Sequence, residues 1–171
     1  MTITRDWGWV FIYNNGKYYR TRHPNDAWIG QGPLFFNRTT GEIREFGSGC
    51  NFKDEIYDYE MELKADGDTW CLWLSNENNR QEAILRLRSL LRVEISSAQK
   101  MVKCLPVELF HGIRRHLDWM QDQLSHQGIQ SFILLQSDRP NCQEFKIPHR
   151  FEGMCNVRAH HAFHDRWQPD W

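Results

Sequence analysis

A chain of 171 residues, 40% hydrophobic and 13% aromatic, has ample material for one full domain or two small ones, which excludes a disordered chain. Its formal net charge of −1 leaves no cationic footprint for nucleic acid, and no apolar run approaches the length of a membrane span. Five single, widely spaced cysteines (Cys50, Cys71, Cys104, Cys142, Cys155) form neither a disulfide framework nor a paired-cysteine zinc site. With an N-terminus that lacks an apolar signal core, they predict a reduced, cytoplasmic protein.

Residues 7–13 alternate, with Trp7, Trp9, Phe11 and Tyr13 on one face and Val10 and Ile12 on the other, and predict a strand. Asn15-Gly16 then signals a hairpin turn into a second strand, KYYRT, because both residues tolerate positive φ. HPNDAWIGQG reads as a loop. PLFFNRTTGEIREF predicts a second hairpin turning at Thr40-Gly41, with Leu34, Phe35, Phe36, Ile43 and Phe46 as its apolar set. Asn51 is the expected N-cap of a helix over roughly 52–63, with Asp54 and Glu55 in the first turn, where the helix dipole favours them. Ile56, Tyr59 and Leu63 form its apolar stripe. ADGD punctuates the chain and closes a first module, residues 1–67.

The second module, 68–136, opens with the apolar strand TWCLWLS (69–75). A helix over 78–92 follows, with Ala83, Ile84, Leu87, Leu90 and Leu91 on one face. A second helix begins near Ser96 or Ser97, turns Ala98, Met101, Val102 and Leu105 inward and stops at Pro106. VELF is a short strand. A third helix starts at Gly112, carries Ile113, Leu117, Met120 and Leu124, and ends with Gly128 in the C′ position. IQSFILL (129–135) closes a β-α-α-β-α-β order. In the extension, 137–171, EFKI and the run Phe151–Val157 are expected to be extended and AHHAFHDRW helical. Its aromatics favour docking of the tail. The fold class is therefore α+β: an antiparallel two-hairpin sheet with one helix, then a helices-on-sheet layer.

Few residues carry chemistry. His160 and His164, at i and i+4 beside His161 and Asp165, could ligate zinc, but no cysteine pair or HExxH context accompanies them. Cys104 near His111 and His116 could be a nucleophile, yet it lies beside the stripe Met101, Val102 and Leu105 and reads as a buried, inert thiol. GQGP and GSG lack the helix start of a phosphate cradle. KYYRTRHP could stack bases, but the surrounding 1–68 segment carries 8 Lys/Arg against 11 Asp/Glu. No catalytic residue, cofactor or metal is expected. The acidic run 54–68 is either a solvated helix face or a surface that meets a cationic partner.

The elements GWVFIYNNGKYY, GQGPLFFNRTTGEIREFGSG and a helix containing YDYE resemble the immunity protein 35 family, also called the YrhB-like domain. The points of likeness are Gly8-Trp9, Gly30 to Pro33, Thr40-Gly41 and Ile56 to Glu60, with Gln31 where the family commonly has Asn. Such domains are antidotes that bind a partner toxin, so the resemblance implies a non-enzymatic protein that blocks a cognate toxin sterically. SSAQKMVKCLPVELFHGI, in its β-α-α-β-α-β setting, resembles the C-terminal domain of the bacterial ribosomal stalk protein and the related Clp-protease adaptor. That domain's lysine-rich face is only partly matched, by Arg80, Arg86, Lys100 and Lys103. It implies the alternative of a protein-binding adaptor. The expected contact residues for a toxin are Asp54, Glu55, Asp58, Glu62, Trp28 and Tyr18.

Overall fold

A computed structural model describes residues 1–49, 51–75, 79–138, 140 and 142–144. The fold is α+β with two sheets, and it divides into two compact units, Met1–Tyr57 and Asp58–Trp171. The division falls inside a helix and not at ADGD.

The first sheet is antiparallel in the order β1 (Thr2–Arg5), β2 (Gly8–Phe11), β3 (Gln31–Asn37) and β4 (Ile43–Gly47). The strand expected over 7–13 is shorter and is preceded by β1, whose Thr2 and Arg5 pair with Phe11 and Gly8. Val10 and Phe35, cross-strand partners, are almost fully buried, and Phe35 packs 4.4 Å from Phe46 and 5.5 Å from Trp7 between ring centroids. The Thr40-Gly41 turn forms as expected: Gly41 has φ 74°, and the Asn37 carboxamide accepts from Thr39 N–H at 2.9 Å and Thr40 N–H at 3.2 Å.

Asn15-Gly16 does not turn a hairpin. Asn15 has φ −57° and ψ 134°, and its Oδ1 accepts from Lys17 N–H at 2.9 Å, capping α1 (Gly16–Thr21). The expected strand KYYRT is therefore helical. Asparagine serves equally in a tight turn and at an N-cap, and here the cap wins. A 3₁₀ turn, Pro24–Asp26, follows.

Helix α2 (Phe52–Ala65) is capped as expected, with Asn51 Oδ1 accepting from Lys53 N–H at 3.0 Å. Ile56 and Tyr59 are buried, but Leu63 is exposed and Met61 and Ala65 are buried instead. At about 100° per residue these lie roughly opposite Ile56. The last turns serve the second unit: the Trp70 indole N–H donates to Met61 C=O at 3.1 Å.

The second unit follows the predicted order through β5 (Thr69–Leu74), α3 (Arg80–Leu91), α4 (Ile95–Lys103), β6 (Val107–His111), α5 (Arg114–His126) and β7 (Ser131–Gln136). A two-residue β8 (Gln143–Glu144) completes a sheet ordered β7-β5-β6-β8, with β8 parallel to β6. Leu72, Leu74, Leu87, Leu91, Phe110, Leu117, Met120 and Leu124 form the core. Helix α4 opens two or three residues earlier than expected, at Glu94 without a side-chain cap, and Ile113 precedes α5 and is exposed. Gly128 behaves as expected at C′: φ is 69°, its N–H bonds Ser125 C=O, and Ile129 N–H bonds Leu124 C=O. Both bonds satisfy carbonyls that the helix end leaves open. The extended segments and terminal helix expected beyond Glu144, and the histidines 160, 161 and 164, lie outside the described residues.

Candidate functional site

Between β2 and β3 the chain makes a closed excursion, residues 14–28, of the compact-loop kind that carries binding groups on a rigid scaffold. Asn14 clamps its ends: Oδ1 accepts from Trp28 N–H at 2.9 Å, and Nδ2 reaches Trp28 C=O at 3.5 Å. Inside it, Asp26 joins the 3₁₀ turn to α1, accepting from Lys17 Nζ at 2.6 Å and from Thr21 Oγ1 at 2.7 Å. Lys17, then Thr21, hold the Asp26 carboxyl below its ordinary pKa.

This framework presents large apolar groups to solvent. Trp28 is 52% exposed and Ile29 is 95% exposed, with Tyr13 and Tyr19 also exposed. Tyr18 is half-buried, 6.1 Å from Tyr19, and the Arg22 guanidinium lies about 6 Å from both rings. Aromatics held on a braced loop lose little conformational freedom on binding and suit anchors. Trp28 and Tyr18, expected as contacts, thus fall in one element. Tyr13, Tyr19 and Ile29 escaped the sequence reading, because the strand-and-loop assignment gave them no common face.

The four expected carboxylates behave differently. Asp54 and Glu55 belong to the first unit and Asp58 and Glu62 to the second. Asp58 is engaged in a two-pronged pair with Arg115, Nη2–Oδ2 at 2.8 Å and Nε at 3.1 Å from both oxygens. Its side chain is only 22% exposed and that of Arg115 18%. A carboxylate held this way supports the fold. Asp54 and Glu62 also interact within the chain. Next to Arg115, Arg114 pairs with Asp118 at 2.8 Å and lies 4.7 Å from the Trp70 ring centroid.

The thiols separate by burial. Cys104 follows α4 as its C-cap and is exposed, contrary to the buried thiol expected, because the helix ends one residue earlier and turns it outward. His116 is buried, while His111 Nδ1 contacts Cys142 C=O at 2.9 Å, so no Cys–His nucleophile is assembled from Cys104. Cys71 lies opposite His111 in the sheet, and its thiol reaches Thr69 C=O at 3.7 Å, while the Cys142 thiol lies 3.8 Å from His111 Nδ1. Burial, then the Glu108 charge, pushes Cys71 up to about 11 and Cys142 to about 12. At pH 8 a group of pKa 11 is about one part in a thousand thiolate. Cys104 should therefore be alkylated by iodoacetamide in the native protein while Cys71 and Cys142 are spared until unfolding, as read by peptide mass spectrometry. The fold favours the protonated thiols, so their contribution is intact below about 9, the unfolded value, and fades as pH rises toward 11 to 12.

An open groove of about 610 Å³ is lined by Ser75, Gln121, Ser125, Gln130, Ser131 and Phe132, among others, and none of the described residues lining it is titratable. Arg86, one of the stalk-like cations, donates to Gln127 C=O at 2.8 Å and pairs with Glu82, so it is used within the fold. No family model matches this sequence, and neither a curated protein nor a solved structure does.

Proposed function

We propose that this chain is an immunity-type protein that binds a cognate protein toxin and neutralises it by occlusion. The observation that carries the reading is the braced excursion 14–28, which holds Trp28 and Tyr19 exposed beside Tyr13 and Ile29. Large apolar side chains left exposed on one braced loop are suited to a partner, and tryptophan and tyrosine in the centre of an interface supply most of its affinity. The ordered likeness to the immunity protein 35 family, from Gly8-Trp9 to Ile56–Glu60, points to the same partner class. Asp54, Glu55 and Glu62 then act as charges that steer a cationic toxin, which sets association rate more than affinity. Asp58 leaves the contact set. Arg86, one of the four residues that partly match the stalk domain's cationic face, is used inside the fold, which weakens that part of the adaptor likeness.

Co-expression with the product of the neighbouring open reading frame should yield a complex and protect the host from it. Trp28→Ala should weaken that complex by about 2 kcal/mol, roughly 30-fold in Kd, and Ile29→Asp comparably, each with an unchanged melting temperature. A product that is neither bound nor neutralised would sink the reading, and full affinity in Trp28→Ala would move the contact face elsewhere.

A further inference from the structure

Strand β7, Ser-Phe-Ile-Leu-Leu-Gln over 131–136, is an edge: among the described residues only β5 pairs with it. Edges in native sheets are kept from pairing by charge, proline or a bulge. β7 has none of these, for its register with β5 runs unbroken from Ser131 to Gln136. Leu134 is 50% exposed and Leu135 37%.

The ladder settles which main-chain groups face out. Ser75 N–H bonds Gln130 C=O at 2.9 Å, so that pair is of the hydrogen-bonded kind. Alternation along an antiparallel pair then turns the groups of Phe132, Leu134 and Gln136 toward β5 and those of Ser131, Ile133 and Leu135 outward. The Gln121 amide, reaching Ser131 C=O at 2.9 Å, meets one of these outward groups.

We infer that the outer edge of β7 is a self-association surface, and that its partner is a second copy of the same strand, antiparallel about a two-fold axis at Ile133. The stereochemistry selects this centre. Residues directly opposite across such an axis must point to the same sheet face, so the axis passes through a residue and not between two. With Ile133 opposite Ile133, Ser131 faces Leu135 and Phe132 faces Leu134, and every outward N–H and C=O of the strand has a partner. The Phe132–Leu134 contacts fall in non-hydrogen-bonded pairs, where side chains approach most closely. A strand without charges opposes no like charges on pairing. Six residues give a seam about 20 Å long. That alone is a narrow strip beside the roughly 800 Å² per partner of a standard stable interface, so the dimer is weak and grows with concentration. This surface is independent of the excursion 14–28.

Sedimentation of the full chain over about a hundredfold range of concentration should show a monomer–dimer equilibrium. Leu134→Lys, which places a cation at an exposed side chain, and Leu135→Pro, which removes only an outward N–H, should each raise the dissociation constant by about tenfold or more. Hydrogen exchange gives a register-specific reading that does not depend on variants. The amides of Ser131, Ile133 and Leu135 should slow as concentration rises, while those of Phe132, Leu134 and Gln136 stay constant. A monomer throughout would overturn the assignment, including one whose 131, 133 and 135 amides are protected at every dilution because another segment of the chain covers the edge. So would a dimer indifferent to both substitutions.

Discussion

Gly32→Ala is expected to unfold the first unit or bring it close to unfolding. A Cβ at Gly32 would stand 2.2 Å from Phe46 O and 2.5 Å from both Phe46 C and Gly47 O. All three atoms are backbone of β4, so none can step aside as a side-chain tip would. The pairing of β3 with β4 is already irregular between Gln31 and Leu34, and relief would have to come from parting the strands. Overpacking of this severity costs about 3 kcal/mol, which corresponds to a fall of roughly 10–20 °C in Tm for a unit of this size. Gly47→Ala is the control, since nothing lies within 4 Å of its added methyl. Calorimetry of the two variants decides the matter: equal melting temperatures would show that the close approach of β3 and β4 does not hold.

Asp58→Asn should cost the second unit about 2 kcal/mol. Removing one member of a fully buried pair costs 3–5 kcal/mol, because the other charge is stranded. Here both side chains keep about a fifth of their exposure, and water recovers part of that loss. In a double-mutant cycle with Arg115→Met, the double variant should be less destabilised than the sum of the single ones, the signature of a direct pair. Asparagine keeps the shape and removes the charge, so binding of the toxin partner proposed above by the folded variant should be unchanged. An Asp58→Asn protein as stable as the parent but deficient in binding would return this residue to the contact set.

The parts of the fold that could be read from sequence are those where one local pattern has one outcome. The stripe Ala83, Leu87, Leu90 and Leu91 could only be the inner face of a helix, and Thr40-Gly41 could only be a turn between two apolar runs. Asn15-Gly16 was legible in two ways, and the choice depends on Asn14 holding Trp28, a contact made 14 residues away. Strand β1 left no trace because TITR is short and its side chains are largely exposed, so no alternation of apolar residues marks it. The site was less legible than the fold. Asp58 meets Arg115 across 57 residues, and no helical spacing reports such a pair. The glycines that carry the family likeness turned out to be demands of the backbone. A Cβ at Gly8 would sit 1.9 Å from Phe36 O, so Gly8-Trp9 records how closely β2 approaches β3 and names no partner. Exposure of Trp28 and Ile29 is a property of the folded surface, and composition does not carry it.

Helix α2 begins in one unit and ends in the other, and this bears on how such a chain can be inherited. The glycine and aspartates at 65–68 look like the natural seam for shuffling gene segments. A recombination there would deliver the second sheet and its helices without Asp58, Tyr59 and Met61. The recipient would receive Arg115 without its counter-ion and Trp70 without the carbonyl its indole reaches. The smallest transferable piece of the second unit therefore starts upstream of Asp58, within a helix where a crossover must also preserve the helical phase that buries Ile56, Tyr59 and Met61.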